Sequence, residues 1–371
     1  MNRTLVVAGH GMTGHRLLTE FAELGGLGTW RVVVFGEEPS AAYDRVRLSA
    51  ALAGGDPRAL ALERHGAGVE VRVGAAVTGI DRAAGAVRCG DGTAQRYDAL
   101  VLATGSRAFV PPFPGHDLPC VLPYRTVADV SAIRAAVRPG REAVVVGGGL
   151  LGLEAADALH RLGMRPHVVE PGPGPMPLQL DTAAGAQLAA LLDARGVTTH
   201  CGTGIAGVAD GGRTTLADGT ELDAALVVVA AGVRPRDELA EPAGLPRGER
   251  GGFLVDERLR TPDDRIWAIG ECAAVAGRCH GLVAPGYRMA ESVARQLLGL
   301  TPEPFADTPV PTRLKLPGVA ADSFGDVHAR TAGAMQFAES DRRTGRYRKL
   351  VLAQDGRTVL GRVEVGPTAD R

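Results

Sequence analysis

The sequence predicts an α/β fold built from two copies of one strand–turn–helix–strand plan, and three observations carry that prediction. Two glycine-rich turns each follow an apolar strand, in Leu5-Val6-Val7-Ala8-Gly9-His10-Gly11-Met12-Thr13-Gly14 and in Ala143-Val144-Val145-Val146-Gly147-Gly148-Gly149-Leu150-Leu151-Gly152. Each turn runs into a helical pattern and then a strand that ends on an acid, Glu37 in the first copy and Glu170 in the second. Each copy closes on an apolar run with an alanine–glycine ending, over 97–105 and 223–232. Chance clustering of 51 glycines among 371 residues does not repeat such an order twice.

Each piece has a physical reason. In the first copy Gly9 permits a tight turn, Gly11 lets backbone approach a pyrophosphate, and Gly14 lets the helix pack close to the strand. The spacing predicts a helix from about Met12 to Leu24, with Leu17, Leu18, Phe21 and Leu24 on its buried face. Free N–H groups at its start can hold phosphates. Glu37, at the tip of strand 31–35, can accept ribose hydroxyls. The second copy repeats this with strand 143–146, Gly147, Gly149 and Gly152, a helix over 153–162, and strand 167–169 before Glu170. Short alternating segments then read as a small meander in each copy: 69–73, 77–81 and 86–89, and again 197–200, 205–208 and 214–216. The expectation is two Rossmann-like dinucleotide-binding domains, each with a small β-meander. Two dinucleotides in one chain suggest electrons passing between them.

Composition narrows the function classes. The chain is long enough for two or three domains with substantial cores. A net charge of −1 with no basic run argues against nucleic acid or an anionic membrane surface as partner. No signal-like leader opens the sequence, and no apolar run reaches the ~18 residues of a membrane span. Five scattered cysteines, Cys89, Cys120, Cys201, Cys272 and Cys279, form no disulfide framework, so the expected setting is a reducing cytoplasm. Lys315 and Lys349 are the only lysines, which leaves a lysine-based mechanism few candidates.

With these residues in view, the chain resembles the two-dinucleotide flavoprotein reductases of the pyridine-nucleotide-disulphide oxidoreductase superfamily. Ala103-Thr104-Gly105-Ser106-Arg107 fits a further motif, and the stretch from Thr261 to Glu271 looks like the second flavin motif, with Glu271 where aspartate is usual. Within the superfamily the chain is most similar to the FAD/NADH portion of assimilatory nitrite reductase large subunits and the nitrate reductase electron-transfer subunit. Gln179-Leu180-Asp181, Gly270-Glu271-Cys272, Gly281-Leu282-Val283-Ala284-Pro285, Lys315-Leu316, Ser323-Phe324-Gly325-Asp326 and Lys349-Leu350-Val351-Leu352 carry that likeness, which runs from about Leu5 to Gly366.

The resemblance implies that Gly9, Gly11, Thr13, Gly14, Glu37, Arg45, Val77, Ala103, Thr104, Gly105, Arg107, Arg125, Gly270, Glu271 and Ala284 hold FAD. It implies that Gly147, Gly149, Leu150, Leu151, Gly152, Glu170 and Gly232 hold the nicotinamide cofactor. The family layout implies an FAD domain over 1–108 and 246–305, an inserted NAD domain over 109–245, and a small α+β C-terminal domain over 306–371. In ferredoxin-reductase relatives a lysine after Leu-Ser pairs with the glutamate matched by Glu154. Here that position is Ala50, so the same ion pair cannot form, although Glu154 remains a candidate nicotinamide contact.

Absences are as informative. No cysteine precedes Cys89, and no Cys-x-x-Cys occurs in the second copy, so the thiolates of a disulfide relay are missing. Cys272, Cys279 and His280 fit no common zinc or iron–sulfur spacing, and no metal is expected. The chain also stops before the cysteine clusters that carry iron–sulfur and sirohaem modules in full-length nitrite reductases. It is therefore expected to supply electrons to nitrite chemistry without itself reducing nitrite. His10 and His15 flank the first turn, where either a phosphate contact or a packing role fits.

Hydride transfer from nicotinamide to flavin needs no general acid or base from the protein, whose task is orientation. Glu170 accepts ribose hydroxyls and repels a 2′-phosphate, and no arginine lies between Pro171 and Leu180 to receive one. NADH is therefore expected over NADPH. The leading expectation is an NADH-dependent FAD reductase serving a separate iron–sulfur, molybdenum or sirohaem protein. An NADH oxidase or quinone- or ferredoxin-type diaphorase, and a redox-sensing scaffold, stand as alternatives.

Overall fold

The computed structural model describes residues 3–341 and 343–368. The chain divides into two compact units, one of Met1–Arg45, Leu60–Arg107 and Val233–Thr308, the other of Val46–Ala59, Ala108–Gly232 and Pro309–Arg371.

The core of the first unit is a parallel five-stranded sheet in the order Ile266–Ala268, Ala99–Leu102, Arg3–Ala8, Trp30–Phe35, Val69–Arg72. Leu5, Val6, Val7, Leu100, Val101 and Leu102 are wholly buried, which is why these strands read as unbroken apolar runs rather than alternating ones. Helix Met12–Glu23 packs beside helix Val283–Leu297 and buries Leu17, Leu18 and Phe21. Leu24, expected on the same buried face, lies one residue past the helix and is exposed.

The meanders differ from expectation at their first strands. Val69–Arg72 pairs in parallel with Trp30–Phe35, because the chain returns through a long crossover rather than a hairpin. The antiparallel meander is Val77–Asp81, Ala86–Cys89 and Ala94–Arg96. In the second unit Thr198–Cys201 likewise joins the parallel sheet, beside Arg165–Glu170.

That second sheet continues through Glu142–Val146 to the long strand Glu221–Val229, which also pairs antiparallel with Arg213–Leu216; Ile205–Val208 completes the meander. Helix Leu150–Arg161 starts three residues before the apolar pattern suggested, because Gly149 already ends the turn. Helix Val127–Ala136 opens on a capping box of Thr126 and Asp129, and Asp181 caps helix Thr182–Asp193, each cap worth about 1 kcal/mol.

From Pro309 onward the regular elements form a five-stranded antiparallel sheet, ordered Thr312–Arg313, Val319–Gly325, Val359–Pro367, Arg346–Leu352, Met335–Asp341. This sheet packs on helix Thr182–Asp193. Lys349 lies 2.9 Å from the Asp181 carboxylate and the Tyr347 hydroxyl donates to it at 2.8 Å. Burial pushes the Asp181 carboxyl up, but the Ala184 N–H, Lys349 and Tyr347 together bring it below the ordinary carboxylate range. One of the two lysines is thus committed to holding the tail sheet to the capped helix.

Candidate dinucleotide sites

Both glycine turns are shaped by how closely the protein packs on itself. At Gly9, φ is +117° and an added Cβ would stand 2.0 Å from the Ala103 carbonyl; at Gly14 it would stand 2.5 Å from the Gly9 carbonyl. The second turn matches this, with Gly147 at φ +110° against Ala230 and Gly152 with 1.9 Å to the Gly147 carbonyl. The middle glycines differ, since a Cβ on Gly11 or Gly149 meets nothing within 4 Å. The first and third glycines are therefore required by the fold, whereas the second faces open space that a ligand can fill.

The helices that leave these turns supply the donors for such a ligand. Met12–Glu23 and Leu150–Arg161 begin at Gly11 and Gly149 with no side-chain cap and no acid in their first turns, as does Val283–Leu297. Their orphan N–H groups and positive dipole ends stay available for an anion. Helices Val127–Ala136 and Thr182–Asp193, away from the turns, are capped by their own residues. The residues present fit a pyrophosphate at both turns.

In the first unit Gly9, Thr13, Ala103 and Gly270 come together just past the ends of the parallel strands. A Cβ on Gly270 or Gly286 would lie 2.9 or 2.8 Å from the Thr13 hydroxyl, so Thr13, Gly270 and the start of the Ala284 helix pack together. Ser106 donates to Glu271 at 2.7 Å, and the Thr104 hydroxyl donates to the Arg236 carbonyl at 2.6 Å. Gly105 accepts at its carbonyl from the Arg236 N–H. Glu37 forms an ion pair with Arg236, while Glu38 accepts from Arg45 at 2.6 Å and from Tyr43 at 2.7 Å. Val77 opens the first meander strand. Arg107 is exposed and pairs with Glu238. Arg125 belongs to the second unit, where its main-chain N–H donates to Asp129. Arg236 lies in no motif and reaches Glu37 only through the fold, so no local signal in the sequence marks it.

In the second unit Glu170 is held by two backbone amides, accepting from Gly148 at 2.8 Å and from Gly172 at 2.7 Å. Its carboxylate is thereby fixed against the glycine turn. Leu150 and Leu151 open the helix, and Gly232, at φ +104°, ends the loop after the closing strand. Glu154 is 8% exposed and accepts from the Ser49 hydroxyl at 2.7 Å. Burial raises its carboxyl above the ordinary range, with Ser49 and then Lys315 drawing it back. Position 50 is alanine, as the sequence has it, and the lysine that bears on Glu154 comes from the tail of the chain.

Beside the first turn, His10 and His15 are joined by His65, whose ring centroid lies 4.4 Å from that of His15 and 6.4 Å from that of His10. His15 meets the Glu63 carbonyl at 2.7 Å, but among the described residues both nitrogens of His10 and Nε2 of His65 are buried without a partner. Burial, and then the charges of His15 and His10, lower His65 to about 4. The unfolded chain thus holds more protons than the folded one between the ordinary histidine value and pH 4, so stability falls as pH drops through that window. Replacing His65 with glutamine is expected to flatten the melting midpoint between about pH 6.5 and 4, the upper bound being the ordinary histidine value. Equal slopes in the two proteins would assign the acid sensitivity elsewhere.

Cys272 is fully buried, donating to the Ile269 and Leu102 carbonyls at 3.3 and 3.4 Å, and burial pushes its thiol up. Burial also pushes Cys279 up to about 11. Among the described residues no three His, Cys, Asp or Glu side chains are grouped to hold a metal, and no helix is long and apolar enough to cross a membrane.

Residues 3–295 match the family described as pyridine nucleotide-disulphide oxidoreductase. The nitrite reductase [NAD(P)H] large subunit of Klebsiella oxytoca is 42% identical, over 99% of this chain and 39% of its own length. The assimilatory nitrate reductase electron transfer subunit of Bacillus subtilis (strain 168) is 33% identical, over 99% of this chain and 48% of its own. The chain thus spans less than half the length of these two curated relatives. A solved ferredoxin reductase for the CYP199A2 system of Rhodopseudomonas palustris superposes with a TM-score of 0.86 at 28% identity, covering 98% of this chain and 91% of that one.

Proposed function

Since the chain belongs to the pyridine nucleotide-disulphide oxidoreductase family, and is accordingly an FAD- and NAD(P)H-dependent oxidoreductase, we propose that it carries electrons from NADH through FAD to a separate redox protein in nitrate or nitrite assimilation. The observation that carries this reading is the pair of glycine turns, each feeding an uncapped helix and each followed by a strand ending on an acid. Raised thiols at Cys272 and Cys279 argue against a disulfide relay, so the electrons leave to an acceptor outside the chain. The nitrite and nitrate reductase relatives favour nitrogen oxyanion assimilation as the context; the proposed acceptor is an iron–sulfur, molybdenum or sirohaem protein. The cytoplasm is the proposed location.

FAD, when bound, supplies the step from two-electron to one-electron transfer. The chain's own part is binding and orientation. Gly11 and the first N–H groups of helix Met12–Glu23 hold one pyrophosphate, and Glu37 accepts from its ribose. Gly149 and the first N–H groups of helix Leu150–Arg161 hold the other, and Glu170 selects a free 2′-hydroxyl.

Rapid mixing of the FAD-loaded protein with NADH tests the reading. Bleaching of the flavin band within milliseconds to seconds, followed by reoxidation that an added iron–sulfur protein accelerates, is the expected result. Reoxidation by oxygen or quinone at full rate, with no gain from a protein acceptor, would point instead to an oxidase or diaphorase. Reduction too slow for turnover would leave only the sensing role.

A further inference from the structure

We propose that His167 and His200 form a two-imidazole site for a divalent transition-metal ion of the Zn2+, Ni2+ or Cu2+ class, which clips the edge strand of the second sheet to its neighbour.

The sheet brings the two rings together. Strand Thr198–Cys201 is the edge of the second sheet and pairs in parallel with Arg165–Glu170. His167 lies opposite Thr198 and His200 opposite Val169, so the two histidines are diagonal neighbours on one face. Both are half-buried. His167 Nδ1 stands 3.1 Å from His200 Nε2, with the ring centroids 5.3 Å apart and the planes at 32°.

That separation is close to what one shared ion demands. Two nitrogens bound to a Zn2+ at about 2.0–2.1 Å in a tetrahedral arrangement lie about 3.3 Å apart, so little movement is required. As a hydrogen bond alone the pair is asymmetric, since one facing nitrogen must carry the proton and the other must accept it. An ion removes the asymmetry. The donating ring moves its N–H to its remote nitrogen, both facing nitrogens present lone pairs, and both rings stay neutral with no net proton released.

The surroundings favour a cation here. Burial holds the His167 imidazole below its ordinary range, Glu142 draws it up, and His200 and Arg165 press it down again. His167 is therefore an unprotonated ligand at neutral pH. Glu142 acts on His167, Asp218 feels the charge of His200, and Arg165 lies 3.6 Å from Glu142. Two carboxylates against one guanidinium suit a dication. Imidazole ligands select Zn2+, Ni2+ or Cu2+ over Mg2+ or Ca2+. Two protein ligands are fewer than a resident zinc site uses, so the ion exchanges and solvent completes its shell. The histidines beside the first glycine turn do not converge in this way: His15 and His65 lie ring against ring, and Nε2 of His15 is taken by the Glu63 carbonyl.

The test uses the full, tag-free, FAD-loaded chain with His167→Gln and His200→Gln. Calorimetry with Zn2+ should give one site in the wild type, weakened at least about tenfold by either substitution, since even the loss of an outer-shell partner costs about 10- to 100-fold. Zn2+ should raise the melting midpoint of the wild type and leave that of each variant unchanged. With one equivalent of Cu2+, pulsed electron paramagnetic resonance should read two coupled imidazoles in the wild type and at most one in each variant. Zn2+ affinity equal in all three proteins, or a two-imidazole signal that survives both substitutions, assigns the ion to other histidines and overturns the proposal. Metal-free melting curves check that the variants fold. If one does not, a wild-type Cu2+ spectrum without two coupled imidazoles still overturns the site.

Discussion

Replacing Glu170 with alanine is expected to erode the preference for NADH over NADPH by about 10- to 100-fold in the ratio of kcat/KM values. The carboxylate is pinned by the Gly148 and Gly172 N–H groups, so it cannot swing aside when a 2′-phosphate arrives. Like charges in that position cost several kcal/mol, and each 1.4 kcal/mol is about tenfold. Removing the carboxylate lifts the repulsion and also takes away the acceptor for the ribose hydroxyls, so NADH should lose while NADPH gains. The variant also frees two amides of the turn, which will weaken both nucleotides alike; only the ratio is diagnostic. Steady-state kinetics with both nucleotides decide the matter. A ratio equal to wild type would mean that Glu170 does not read the ribose, and an NADPH preference in the parent protein would sink the assignment outright.

Gly152→Ala should be the more damaging change, lowering flavin reduction by NADH at least about 100-fold while FAD stays bound. The added Cβ would lie 1.9 Å from the Gly147 carbonyl, and backbone cannot rotate away as a side-chain tip could. The turn must open, at a cost of about 1–3 kcal/mol for such overpacking, and the helix N-terminus leaves its place above the strand. Gly149→Ala is the informative partner. None of the described residues lies within 4 Å of its Cβ, so the fold should be unaffected while the methyl group intrudes on ligand space. Melting curves and NAD+ titrations of the two variants should therefore separate: Gly152→Ala loses stability and binding, Gly149→Ala loses binding alone. Wild-type affinity in Gly152→Ala would show that this turn does not hold the nucleotide.

The elements legible in the sequence are those whose causes are local. Gly9, Gly14, Gly147 and Gly152 announce themselves because close packing at the turn forbids a side chain there. The strands around Leu5–Ala8 and Ala143–Val146 are legible because burial on both faces demands unbroken apolar runs. Pairing direction is not local. Val69–Arg72 carries the same alternation whether it pairs in a meander or in the parallel sheet, and only the return path of the chain chooses the latter. The helix beginning at Leu150 rather than Leu153 shows a smaller version of the same effect, since an apolar stripe reports the buried face and not the first hydrogen-bonded turn.

Residue order alone is enough to establish two glycine-rich strand–helix turns, an acid after each, and no thiol pair where a disulfide relay needs one. Which charges those acids meet depends on the folded chain. Glu37 faces Arg236, Glu170 is tied to its own turn, and Glu154 is served by Ser49 and Lys315. The difference is one of range. Backbone conformation and burial periodicity are set within a few residues, whereas a side chain's ionisation depends on every group the fold brings near it, from any point in the chain. Position 50 is alanine, and Lys315 bears on Glu154 because the tail of the chain belongs to the same compact unit.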